Sequence, residues 1–184
     1  FDSRFIQGAC AQKMTKALNE FVSDDSFELI ILSHMGPVYF DQTAFKGKDL
    51  ARVTGADVVD IDNPSNKNRW NIFENKLVET LQYLTSNPKK KVVYLIDWPE
   101  LGIESNRCIH KIEREFGELT FATFYDQSAL ERCRIPLKEY DERSKKYREI
   151  IKGAELLFDE VVFVDPKTIF CDEFFCLGIR NDEA

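Results

Sequence analysis

Val92-Val93-Tyr94-Leu95-Ile96, followed at once by Asp97-Trp98-Pro99, is the stretch from which the fold class is read. An uninterrupted apolar run between a lysine-rich turn and a proline-bearing one suits a strand buried on both faces, the kind found inside parallel sheets. Two similar runs stand on either side of it in the chain. Leu29-Ile30-Ile31-Leu32 comes earlier and is bounded by turn residues, and Val161-Val162-Phe163-Val164 comes later and ends at Asp165-Pro166.

The segments between these runs carry the helical period. Met14, Ala17, Leu18, Phe21 and Val22 predict an amphipathic helix over 11–22, which Asp24-Asp25-Ser26 breaks. Ile72, Phe73, Leu77, Leu81 and Leu84 predict a second helix that Asn87-Pro88 stops. The longest runs from about 136 to 158, with Leu137, Tyr140, Tyr147, Ile151, Ala154 and Phe158 on one stripe and charged residues opposite. Helix and strand thus alternate, which most economically builds a mainly parallel sheet covered by right-handed crossovers. The expected class is α/β, a three-layer α/β/α arrangement, and the expected organisation is one α/β domain over 1–184. The stretch 36–69 reads as a long excursion within it, with one short strand at Val58-Val59.

Composition narrows the function classes. The 184 residues are 43% hydrophobic and include 15 Phe against 8 Gly, which excludes a disordered or collagen-like chain. Lys and Arg number 25 against 32 Asp and Glu, and the net charge of -7 argues against a broad basic field for nucleic acid or an anionic membrane. The triplet Lys89-Lys90-Lys91 reads as a solvated turn leading into a strand. No apolar run approaches the ~20 residues needed to cross a bilayer. The start at Phe1 and the stop at Ala184 are read as cuts at both ends of a larger domain.

Ligands of open α/β sheets bind beyond the carboxyl ends of the strands, so Ser33-His34-Met35, Asp97-Trp98-Pro99 and Asp165-Pro166 are the places to look. His34 and Asp97 are the candidates for substrate or oxyanion contact. A strand-end histidine is often merely structural, and Asp97 and Asp165 equally suit turn caps before proline. His110 reads as a surface residue. The chain has no G-x-S-x-G elbow, Walker loop, G-x-G-x-x-G or H-E-x-x-H, so no standard catalytic, cofactor or metal signature is present. Phe1-Asp2-Ser3-Arg4 looks like a degraded Gly-Asp-Ser motif, yet no strand precedes Ser3 to deliver it to a sheet edge.

The five cysteines lack the paired spacing of a zinc site and read as disulfides, Cys108 with Cys133 and Cys171 with Cys176. Such pairs belong in an oxidising compartment, and the competing reading is a cytosolic protein with five reduced thiols. Cys10 is left over, and its simplest partner is a stretch upstream of Phe1.

Several segments together resemble a known family: Trp98-Pro99-Glu100-Leu101-Gly102-Ile103, Arg107-Cys108, Cys133-Arg134-Ile135-Pro136, Tyr140, Tyr147-Arg148, Val164-Asp165-Pro166, Phe170-Cys171 and Cys176. Their order is similar to that of the SGNH-type domain found C-terminal to bacterial membrane acyltransferases of the acyltransferase-3 family. The resemblance covers most of the chain and is weakest over 36–69. It implies a flavodoxin-like α/β/α fold of SGNH hydrolase type, incomplete here, and a periplasmic or extracytoplasmic domain tethered to the inner membrane through an upstream region.

The implied activity is transfer of acyl groups, usually acetyl, to a cell-surface polysaccharide through an acyl-serine. Its partners would be the glycan acceptor and the membrane acyltransferase domain of the same polypeptide, with no nucleic acid and no cofactor. In that family Gly-Asp-Ser supplies the nucleophile and Asp-x-x-His the base. Ser3 lies too close to Cys10 to match the first, and the second would fall beyond Ala184, so no catalytic residue is expected within this chain. The alternative is a noncatalytic glycan-binding or scaffolding domain of the same fold.

Overall fold

The computed structural model describes residues 9–33, 36–37, 60, 63, 65–99 and 134–177. In chain order the elements are α1 (Ala9–Ser23), β1 (Leu29–Ser33), α2 (Arg69–Thr85), β2 (Lys91–Leu95), β3 (Arg134–Pro136), α3 (Leu137–Leu157), β4 (Val161–Val164), α4 (Lys167–Phe170) and β5 (Phe175–Leu177). They fall into two units. One holds α1, β1, α2, β2, β4 and the part of α3 from Glu149 onward; the other holds Ile96–Pro99, β3, α3 up to Arg148, α4 and β5.

In the first unit β1, β2 and β4 form a parallel sheet in that order, as the alternation of helix and strand predicts. Ile30 stands in register with Val92 and Val161, and Leu32 with Tyr94 and Phe163. Residues in register share a face, and on this face Ile30, Val92, Tyr94 and Val161 are buried. Tyr94 and Phe163 meet as rings 5.5 Å apart. Each such side chain contributes roughly 1.5–3 kcal/mol by leaving water.

The other face corrects the expectation for the first strand, which reads from sequence as buried on both sides. Leu29 and Ile31 are 52% and 61% exposed, and Val162 across the sheet is 56% exposed. Strands β1 and β4 are the edges of this sheet among the described residues. An edge strand buries whichever face another layer covers, and a short apolar run does not reveal which layers are present.

Helix α2 packs against β2 and buries Ile72, Leu77, Leu81 and Leu84, the periodic residues of its sequence. Its start is set by Asn68, whose side chain accepts the Asn71 N–H at 3.2 Å, and its last turn closes on Ser86, two residues before Pro88. Asn68→Ala is expected to cost about 1 kcal/mol, because it leaves one of the first-turn N–H groups without its acceptor. Urea unfolding of the two proteins side by side measures this, and an unchanged midpoint would contradict it. Helix α1 is less well buried than its stripe suggests: Val22 is buried, whereas Met14 and Phe21 remain exposed, with Phe21 packed edge-on against Phe27.

The lysine triplet is not a uniformly solvated turn. Lys89 pairs with Asp25 at the surface, but Lys90 is 7% exposed and its Nζ donates to the carbonyls of Asp24 and Phe27. The loop after α1 offers carbonyl oxygens in place of water, which permits the ammonium to be buried.

In the second unit β3 and β5 pair antiparallel, with Ile135 opposite Cys176 and Pro136 opposite Phe175. Neither strand, nor the one-turn α4, is readable from periodicity, since three or four residues are too few to show a period. The disulfide between Cys171 and Cys176 forms as expected. Cys176 is fully buried in a cluster with Ile135 and Tyr140, against which Leu137 and Cys171 pack. Asp172 closes the small loop by accepting the N–H groups of Phe174 and Phe175, each at 2.7 Å.

The expected pair Cys108–Cys133 lies outside the described residues, as do Ser3, His110 and most of the 36–69 excursion. Within that excursion the Asn66 N–H donates to the Asn63 carbonyl. Among the described residues no helix is long and apolar enough to cross a membrane.

Candidate functional site

Two of the three strand-end segments are described, and both place a carboxylate in the second unit. His34, the third candidate, lies outside the described residues, so its relation to Asp97 is not drawn.

Asp97 follows β2 by two residues and is 9% exposed. Its Oδ2 accepts the Gly36 N–H at 2.6 Å, while its own N–H donates to the Tyr147 hydroxyl at 3.2 Å. The approach to Gly36 is close: a Cβ there would stand 3.1 Å from Asp97 Cβ, from Asp97 Oδ2 and from Tyr147 Cζ. The glycine therefore lets backbone come down onto the carboxylate. Gly36→Ala is expected to destabilise by about 1 kcal/mol, because the added methyl must push apart Asp97 and a fully buried tyrosine. A thermal melt that does not shift would contradict it.

Asp165 sits differently. Its two oxygens receive Nη1 and Nη2 of Arg148 at 2.7 and 2.8 Å, and Oδ1 also accepts the Lys167 N–H at 2.9 Å. The Tyr140 hydroxyl accepts from Arg148 Nε and Nη2, and Lys167 reaches on to Asp141. Burial pulls the Asp165 carboxyl upward, but the Arg148 fork and the Lys167 N–H outweigh it and hold the carboxyl below its ordinary value. Burial likewise works against the Arg148 charge, yet the bonds to Asp165 and Tyr140 leave its pKa raised. Tyr140 is pushed up, chiefly by burial. Asp165 is thus both the turn cap that the sequence suggests and one end of a forked ion pair, a structural and not a chemical use of the carboxylate.

Arg148 as the partner of Asp165 and Gly36 as the close approach to Asp97 are not among the residues singled out from the sequence for these roles. The signal for Arg148 was present: Tyr140, Ser144 and Arg148 recur every fourth residue, so one helix face carries all three. Ser144, at 1% exposure, donates to the Tyr140 carbonyl and stays buried on that face.

Asp97, Trp98, Tyr140, Arg143, Ser144 and Tyr147 line a recess of about 10 Å³. Roughly that volume admits one water, so any larger ligand must lie across the mouth. At this recess Asp97 Oδ2 is the acceptor of the Gly36 N–H. Among the described residues no group of three or more His, Cys, Asp or Glu is placed to hold a metal ion.

The parallel sheet with its helices is that of an α/β domain, and two of its three strands lead into carboxylate-bearing turns. A family model described as "SGNH domain (fused to AT3 domains)" matches residues 1–183, and the chain belongs to that family. No curated protein and no solved structure matches the chain.

Proposed function

We propose that this domain serves, in the complete polypeptide, as the extracytoplasmic part of an O-acyltransferase that moves acyl groups, acetyl in the first instance, onto a cell-surface polysaccharide. The observation that carries this reading is the family membership over residues 1–183, in a family whose SGNH domains are fused to AT3 domains. A fusion to membrane acyltransferase domains gives such a domain a source of acyl groups.

The step it would perform is double displacement. A serine hydroxyl, its proton taken by histidine, attacks the acyl carbonyl of the donor, and the donor's leaving group departs with a proton. A sugar hydroxyl then attacks the acyl-serine, and the serine regains its proton through the same histidine. In the family the serine comes from Gly-Asp-Ser and the histidine from Asp-x-x-His, neither of which is within this chain. The contribution of the present residues is the frame: the Gly36–Asp97–Tyr147 contact and the Arg148 fork hold two strand-end turns in shape.

The test is acetyl transfer by the full-length protein to de-O-acetylated surface polysaccharide, with release of acetate from an acetyl ester as the second readout. Substitution of the Gly-Asp-Ser serine is expected to abolish both, and a serine variant as active as the wild type overturns the mechanism. Placement outside the cytoplasm is supported by the Cys171–Cys176 bond, since such bonds persist in oxidising compartments. Thiol titration of this chain, denatured without reductant, is expected to find one free thiol among the five cysteines; five free thiols would point to the cytosolic alternative.

A further inference from the structure

We infer that Cys171 is a modification site for a small thiol: the Cys171–Cys176 bond opens to a thiolate at Cys171 Sγ, with Cys176 as the leaving group and later as the resolving thiol. The two ends of this bond are unequally placed. Cys176 is 0% exposed in its cluster with Ile135 and Tyr140, whereas Cys171, which packs against that cluster, keeps part of its surface in water. The chain around Cys171 faces solvent: Ile169 is 57% and Phe174 68% exposed, and Asp172 and Glu173 are exposed between them.

Exchange begins when a thiolate approaches one sulfur of a disulfide in line with the S–S bond and forms a mixed disulfide with it. At Cys176 that approach is closed, because no part of the residue touches water. In the folded protein Cys171 is therefore the sulfur of the pair that a thiolate can reach. A new S–S bond forms to Cys171 Sγ as the bond to Cys176 breaks, and the electron pair leaves on Cys176 Sγ, which takes a proton from water. One disulfide replaces another, so nothing is oxidised overall. Cys176 stays in the cluster as a small apolar thiol. Its attack on Cys171 Sγ, once deprotonated, expels the small thiolate and restores the bond. The attached group would stand at the end of α4, where the Cys171 N–H donates to the Lys167 carbonyl and the Lys167 N–H to Asp165.

The experiment uses the full-length protein, with reduced glutathione as the probe. Folded protein is incubated with glutathione and quenched in acid, its thiols are blocked, and the chain is cleaved after Glu173, which separates the two cysteines. Mass spectrometry then reads the glutathione on each. Cys171 is expected to carry about tenfold more than Cys176, or a larger excess, since attack at Cys176 waits for its cluster to open. The rate should rise with glutathione concentration and stay level in urea well below the unfolding transition. Like amounts on both cysteines, or none on Cys171 until urea unfolds the protein, overturns the inference.

Two variants test the same asymmetry with oxidised glutathione as the probe. Cys171 in Cys176→Ala is expected to be modified in the folded protein, and Cys176 in Cys171→Ala only when urea unfolds it. Equal rates in the two folded variants overturn the inference, and if either variant fails to fold, the wild-type measurement decides alone.

Discussion

Arg148→Met is expected to destabilise the protein by about 2–3 kcal/mol, a fall in melting temperature of roughly 5–10 °C. The arginine makes four charge-assisted bonds at once, two to Asp165 and two to the Tyr140 hydroxyl. Its side chain is 24% exposed and that of Asp165 35%, so water screens the pair in part and the upper range for fully buried pairs does not apply. Much of the loss comes from the stranded carboxylate and not from the pair itself. Arg148→Met combined with Asp165→Asn is therefore expected to recover part of the stability, and Arg148→Lys to fall between, since an ammonium cannot reproduce the fork.

The same pair predicts the sign of a pH effect. The folded Asp165 carboxyl lies below its ordinary value of 3.8. A depressed folded pKa means that the contribution is complete above the unfolded value and disappears as pH falls through the folded one. The stability difference between wild type and Arg148→Met should thus be full near pH 7 and shrink below about pH 4. Urea unfolding across that range measures it, and a difference that stays constant down to the acid limit would sink the assignment.

Removal of the Cys171–Cys176 bond is the second large effect expected. It closes a loop of sequence separation 5, and so short a loop contributes about 2 kcal/mol by restricting the unfolded chain. The two cysteines should not respond equally. Cys171→Ala loses the crosslink and leaves a partly buried gap, whereas Cys176→Ser also puts a hydroxyl into the cluster of Ile135 and Tyr140, where Cys176 is 0% exposed. We expect about 2 kcal/mol for the first and about 3 kcal/mol for the second. Thermal melts with and without reductant read this. Part of the wild-type reductant shift should vanish in Cys171→Ala combined with Cys176→Ala, and a shift of the same size in both proteins would refute it.

The parallel sheet was legible because its three strands are short apolar runs separated by helices of clear period; Val92, Tyr94 and Val161 are buried as such runs require. The stripe read over 136–158 is buried at Tyr140, Tyr147, Ile151, Ala154 and, just past the end of α3, Phe158, with Leu137 partly buried at its start. The pairing of Cys171 with Cys176 was readable because both lie close in the chain. The exposed faces of Leu29 and Ile31, the burial of Lys90 and the strands β3 and β5 were not. Each depends on what comes to stand beside a residue, and a local pattern carries no record of that.

The site divides in the same way. Asp97 and Asp165 are found from sequence because a strand end followed by proline marks the place where ligands of an α/β sheet are met. Their different employments came from the fold: Gly36 brings its N–H to Asp97, and the i+8 step along α3 brings Arg148 to both Tyr140 and Asp165. Chain order alone was enough for the alternation of elements, the acidic balance and the nearby cysteine pair, since hydrophobic period, charge and short loops are local properties. Which carboxylate is locked in an ion pair, and which stands beside an exposed indole over a water-sized recess, required the packed structure, because hydrogen bonds across 17 or 61 residues are set by how the elements dock.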